Sequence, residues 1–120
     1  MDYQEHSCYK IGFQLSNLIW NIVRKWDYFS RDTIGKQLVR SVDSISSNLA
    51  EGWKRYYKKD KILFFHYSKS SFYESIDFIG KAFQRKLISQ EELDRINSLV
   101  IEFPRLINGL IKGTRENLKH

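Results

Sequence analysis

Residues 40–61 read RSVDSISSNLAEGWKRYYKKDK, a run that begins as a small-residue amphipathic helix and ends in cations interleaved with aromatics. Val42, Ile45 and Leu49 recur at helical spacings, and Leu38 and Tyr56 extend the stripe in both directions. That spacing predicts a helix with one apolar face, with Tyr56 in the core. Ser41, Ser44, Ser46, Ser47 and Ala50 keep the rest of the helix low in profile, so a neighbouring backbone can come close. Arg40, Ser44, Ser47 and Glu51 project to one side, opposite Leu38, Ile45 and Leu49. If that side is buried, Glu51 needs a partner, because an unpaired buried carboxylate is very costly. Arg40 and Arg55 are the candidates, from the same chain or a neighbouring one.

The second half, Trp53 to Lys61, sets five cations against the single carboxylate of Asp60. Lys54, Arg55, Lys58, Lys59 and Lys61 can neutralise phosphates and release counterions, and Tyr57 is the residue placed to stack on an unpaired base. The competing reading is a solvated turn whose aromatics belong to the core.

Working outward, three more helices flank this one. The first covers about residues 6–28, with Ile11, Leu15, Leu18, Ile22 and Trp26 on one face. Asp32 is the expected N-cap of the second, which covers about 33–57. Asp60 is the expected cap of the third, about 60–86, which carries Phe65, Phe72, Ile76, Ile79 and Phe83 inward. Ser89 and Glu92 form a capping box that opens a fourth over about 90–112, where Leu93, Ile96, Val100, Phe103, Ile107 and Ile111 point in. Pro104 is expected to kink or divide that helix, Gly113 to end it, and the polar tail beyond to fray. Links this short return each helix alongside the last, so the expected fold is all-α, one domain over 1–120, an antiparallel up-down-up-down four-helix bundle.

The helices carry more apolar surface than one bundle can hide. Phe64, Tyr67, Ser71, Phe78 and Ala82 form an arc on the third helix roughly 100° from its core stripe. Tyr9, Phe13 and Trp20 lie off the main stripe of the first. With 18 aromatics in 120 residues, self-association is the expectation, and a wider, irregular core is its competitor.

Charge is unevenly placed. The formal net charge is +6, and residues 31–90 hold twelve cations against six carboxylates while both flanks are balanced. An anionic partner, nucleic acid before a membrane surface, is one reading of that excess, and solubility alone is the other. No apolar run approaches the roughly 20 residues that cross a bilayer. One cysteine, Cys8, makes no internal disulfide, and the start MDYQEHSCYK has no signal-peptide core, so the expected location is the cytoplasm.

The string around Arg40, Ser41, Ser44, Ile45, Ser47, Asn48, Leu49, Ala50, Glu51 and Gly52, preceded by Gln37, resembles the R-S/A-x-S-I-x-S-N-I/L-A-E-G signature of the four-helix-bundle proteins called 23S rRNA intervening-sequence proteins. Ser71 and Glu74 match their G-S-x-x-E pattern, and looser similarity covers about residues 8–112. Departures are Ser46 where proline is frequent, Ser70 for the glycine before Ser71, and a shortened entry at Phe29-Ser30. The resemblance implies a left-handed bundle that assembles as a homopentameric ring with a basic surface, in which Asn48, Ser71 and Glu74 join Arg40, Ser44, Ser47 and Glu51 as polar residues between helices. A related protein of diversity-generating retroelements binds nucleic acid and a reverse transcriptase. Five copies of +6 in a ring would make +30, a multivalent surface.

Enzyme and metal chemistry lack their motifs. His6, His66 and His120 have no ligand spacing, Cys8 lies near His6 alone, and neither G-x-S-x-G nor a glycine-rich phosphate loop occurs. Glu51 and Glu74 are expected to be structural rather than an acid–base pair, since no E-x-x-H accompanies them. No cofactor is expected. The sequence therefore reads as a non-enzymatic, homo-oligomeric bundle that binds RNA or DNA backbone. Its alternative is an adaptor ring that docks an acidic protein partner.

Overall fold

In a computed structural model, which describes residues 2–116, the chain is all-helical and measures 49 × 24 × 21 Å. Its principal helices are α1 (Ser7–Val23), α2 (Lys36–Lys54), α3 (Lys58–Gln84), α4 (Gln90–Val100) and α5 (Phe103–Glu116). No strand occurs among the described residues, and no helix there is long and apolar enough to cross a membrane. His120 and the polar tail lie outside them.

Helix α2 buries Leu38, Val42, Ile45 and Leu49 completely, as its spacing predicts. Its start differs from expectation. Asp27, not Asp32, supplies the cap: its carboxylate accepts from the Ser30 amide at 3.2 Å. A single α turn (Tyr28–Ser30) and a wide π turn (Arg31–Gly35) then lead into α2. Asp32 pairs instead with Lys36 at 3.2 Å, one turn on. The π turn lets two successive residues, Ile34 and Gly35, both face inward. Gly35 lies so close to α1 that a Cβ there would stand 2.8 Å from Val23 Cγ1. Hydrogen bonds from Ser30 hold the Asp27 carboxyl below its ordinary value, so this cap is fully in force above that ordinary value and is lost as pH falls through the lowered one.

The buried positions of α1 are Cys8, Gly12, Leu15, Ile19, Ile22 and Val23. From Cys8 to Ile22 they step by threes and fours, but the seam is rotated from the expected stripe, leaving Ile11 and Leu18 half-buried. Small residues turn the helix: a Cβ on Gly12 would sit 2.9 Å from Ile45 Cγ2, so α1 meets α2 through its glycine. Helix α3 buries Phe65, Ser68, Phe72, Ser75, Ile79 and Ala82. This 3-4-3-4-3 step is the seam spacing of helices that interlock side by side. Ala82 therefore belongs to the core and not to the outer arc, while Ile76 and Phe83 are half-buried at its edge.

Two serines in that seam are dry and satisfied. Ser68 Oγ donates to the Ile45 carbonyl at 2.7 Å. Ser75 Oγ lies 2.9 Å from Ser41 Oγ and 2.7 Å from the Ser71 carbonyl, sharing its one hydrogen between two acceptors, and Ser41 donates onward to Leu38 at 3.0 Å. Residue numbers fall along one helix as they rise along its neighbour. Ile45 and Ser41 meet Ser68 and Ser75; His6 and Gly12 meet Trp53 and Ile45; Phe72 stacks on Phe103 at 4.4 Å, and Lys69 reaches Asn108 at 2.8 Å.

Helix α3 ends at a left-handed residue, Lys86 (φ 64), with Leu87 N–H returning to the Ala82 carbonyl at 2.9 Å. The Ser89–Glu92 capping box forms as expected. The predicted division at Pro104 is present: α4 stops at Val100, and Pro104 occupies the first turn of α5, where its missing N–H leaves no bond broken. Gly113 does not end α5, which continues to Glu116. Asp60 is not a cap either: Tyr57 holds the N-cap position of α3, and Asp60 lies in its first turn, where a carboxylate suits the helix dipole.

The glycines give a paired test. Gly52→Ala would place a Cβ 2.6 Å from the Phe65 ring, whereas at Gly80 nothing lies within 4 Å. Thermal and urea unfolding followed by circular dichroism should show Gly52→Ala destabilised by about 1–3 kcal/mol. Gly80→Ala, in mid-helix, should be stabilised by about 0.5–1 kcal/mol. Equal responses at both positions would refute the close contact.

Candidate nucleic-acid interface

The cationic run lies where α2 gives way to α3. Helix α2 stops at Lys54, three residues short of the expected end, and Arg55 and Tyr57 are extended (ψ 144 and 138). The early stop removes Tyr56 from the helical register that would carry it inward. It is 64% exposed, not in the core, and stands edge-on to Tyr57 at 5.0 Å. Trp53 closes this end of the bundle instead, 5.2 Å from Phe65 and 5.2 Å from His6.

Each cation is held differently. Lys61 Nζ donates to the Trp53 carbonyl at 2.9 Å, and Lys58 Nζ to the Arg115 carbonyl at 3.1 Å. Both ammoniums thus sit at C-terminal helix ends, where the dipole favours them. Arg55 pairs with Glu51 at 3.2 Å, and its guanidinium lies 4.5 Å above the Phe64 ring. Glu51 thereby finds the partner expected of it in the same chain, just past the end of its helix. Lys54 and Lys59 are exposed and make no ion pair among the described residues. Tyr57 is 55% exposed beside them. The turn brings Lys54, Arg55, Tyr57, Lys58, Lys59 and Lys61 to one end of the molecule.

The polar set assigned between helices is placed otherwise. Ser44 donates to the Arg40 carbonyl at 2.9 Å and Asn48 to the Ser44 carbonyl at 2.8 Å, both within α2. Arg40 and Ser47 are exposed, Glu74 is exposed on α3, and Ser71 is half-buried. The hydroxyls that do bridge helices are Ser68 and Ser75, with Ser41 as an acceptor, and the motif reading missed the first two. Their signal was present, since counting threes and fours from Phe65 through Phe72 to Ile79 lands on both.

His6 serves as the N-cap of α1, its Nδ1 accepting from the Cys8 amide at 3.1 Å. Burial lowers its pKa, so the ring is neutral near pH 7. No cluster of three or more His, Cys, Asp or Glu able to hold a metal occurs among the described residues.

A model of the 23S rRNA-intervening sequence proteins matches residues 4–109, from the turn before α1 to the middle of α5. The chain belongs to that family. Among curated proteins, none matches the chain. The matched span includes every residue of the basic turn and the whole of the serine-lined α2–α3 seam. Membership thus covers both the architecture and the end of the bundle where its charge collects.

Cys8 borders this end but is chemically quiet. It is fully buried, and desolvation pushes its thiol up to about 12. A disulfide reagent at pH 8 should react with the native chain roughly 100-fold more slowly than with the urea-unfolded chain; comparable rates, read by absorbance, would show that the α1 start opens freely.

Proposed function

We propose that this is a non-enzymatic protein that binds nucleic-acid backbone through the α2–α3 turn and does so as a homo-oligomer. The observation that carries the reading is the state of the turn's cations. Lys54 and Lys59 are exposed and make no ion pair among the described residues, and Lys61 is held by the neutral Trp53 carbonyl, which positions its ammonium without neutralising it. Asp60 is the one carboxylate within the run. Phosphates supply negative charge to these cations, and Tyr57 is an aromatic beside them in the same turn. No side-chain set for reading base edges accompanies them, so binding is driven by charge and shape.

The reversed registers support an antiparallel up-down-up-down bundle, and the three-four seam supports a left-handed one. Assembly is supported by apolar side chains that the single chain leaves in water. Phe13 and Trp20 are 51% and 58% exposed two turns apart on α1, and Leu63 and Tyr67 are 45% and 46% exposed one turn apart on α3. Copies that cover these faces in a closed ring, as the family resemblance implies for a pentamer, would gather the basic ends into one multivalent surface. A reducing cytoplasmic setting fits a lone buried thiol.

Two experiments test this. Mobility shift with single-stranded and structured RNA at low salt should show binding that Lys54→Glu/Lys59→Glu weakens at least roughly tenfold, with the slope of log affinity against log salt reduced by about two. Absence of binding by the unmodified chain, with capture of an acidic protein abolished by the same substitutions, would instead favour the adaptor reading. Light scattering should give a mass near five times 14.4 kDa, falling in Phe13→Ser/Trp20→Ser without loss of helicity; a 14.4 kDa species at micromolar concentration removes the ring.

A further inference from the structure

Beside the basic turn, a cleft of about 640 Å³ opens between the start of α3 and the middle of α5. That volume falls in the range of sites that take small organic groups, roughly 300–1,000 Å³. Its floor is unusual. Gly109 and Gly113 lie one turn apart inside α5, and glycine is the least favoured ordinary residue in a helix interior after proline. At Gly12, Gly35 and Gly52 a packing reason is evident, because a Cβ would strike Ile45, Val23 or Phe65. At Gly109 and Gly113 a Cβ would meet nothing within 4 Å. Among the described residues no contact accounts for these two glycines, as none does for Gly80; unlike Gly80 they line a cleft, which side chains there would narrow.

The walls and rim indicate what the space suits. Half-buried Trp53 presents aromatic surface, backed by the buried Phe65 ring at 5.2 Å and with the neutral His6 ring alongside. Lys58, Lys61 and Arg105 line the same cleft, and among the described residues no carboxylate does. Lys61 spends one of its three N–H donors on the Trp53 carbonyl, and Arg105 binds Glu102 through Nε at 2.7 Å, which leaves its terminal nitrogens outside that bond. A flat ring bearing a negative group is complementary to this arrangement.

We infer that the cleft receives a single unstacked nucleotide, its base against Trp53 above Gly109 and Gly113 and its phosphate on Lys61 and Arg105. This rests on the nucleic-acid reading above and adds to it a base-dependent subsite distinct from the phosphate contacts of Lys54 and Lys59. Binding would then depend on the bases being free, not merely on backbone charge, and paired strands would lack the component that the cleft supplies.

The test uses the full chain, at low salt, with fluorescence anisotropy of two labelled strands of about a dozen nucleotides: unstructured oligouridylate, and the same backbone without bases. The variant Gly109→Leu/Gly113→Leu fills the cleft, removes no cation and introduces residues that favour the helix. The unmodified chain should bind the base-bearing strand about tenfold more tightly than the abasic one. The variant should bind both strands at the abasic level, with its thermal unfolding no earlier and its oligomeric mass unchanged. Equal affinity of the unmodified chain for the two strands, or a variant that still prefers bases, overturns the subsite while leaving backbone binding intact. A changed mass in the variant assigns the cleft to a second copy of the chain and also overturns it. Failure of the unmodified chain to bind either strand removes the nucleic-acid reading and the subsite together.

Discussion

Helix α2 is gripped from both sides at positions that lack side chains. Gly12 of α1 lets Ile45 approach to within what would be 2.9 Å of a Cβ, and Gly52 of α2 itself admits the Phe65 ring at 2.6 Å. Helices this close leave no room for water, so any hydroxyl in the seam must find a protein partner or cost about 1–3 kcal/mol. Ser68 and Ser75 meet that demand by reaching across to the Ile45 carbonyl and the Ser41 hydroxyl. Apolar side chains repeating every three and four residues would tolerate a slip of seven, but such a slip would keep only one of these two serines on a partner and set Lys61 or Ala82 opposite the other. The seam therefore has one register, and the position of everything attached to its ends follows from it.

The basic end shows that dependence most clearly. Because Phe65 occupies the space beside Gly52, α3 has to begin close to where α2 stops, and Arg55–Tyr57 make the whole reversal. A link that short cannot disperse its cations. Two of them are recruited to helix carbonyls, one to Glu51 and the Phe64 ring, and Lys54 and Lys59 are left facing solvent. Concentrated charge is thus a by-product of tight packing, one that a polyanion can exploit without any change in the bundle.

Much of this was legible in the residues. The core of α2, the Ser89–Glu92 cap and the division at Pro104 follow from spacing and local chemistry, which act over four residues or fewer. What was missed depends on neighbours far along the chain. Counting only large apolar residues put Ile11 and Leu18 at the centre of α1, although Cys8 and Gly12 decide which way it faces. Ser68 and Ser75 read as polar, yet the partner helix supplies what they need for burial. Tyr56 was drawn into the core by a periodicity that assumed α2 reached it. The basic run was visible as composition, but its adjoining cleft was not, because Trp53, Gly109 and Arg105 meet only after the chain has folded.

The wide turn at Arg31–Gly35 carries an implication for how this chain tolerates length changes. It holds one residue more than a regular helix needs, so Asp27 and Tyr28 sit about 100° around the axis from where continuous α-geometry would put them. Excising a single residue there would straighten the coil, keep α2 and α3 undisturbed, and swing the incoming segment, with Val23 and Trp26, away from Gly35. The spare residue is thus a rotational spacer. It lets the bundle accept its first helix at one angle while holding the second in a register that cannot move.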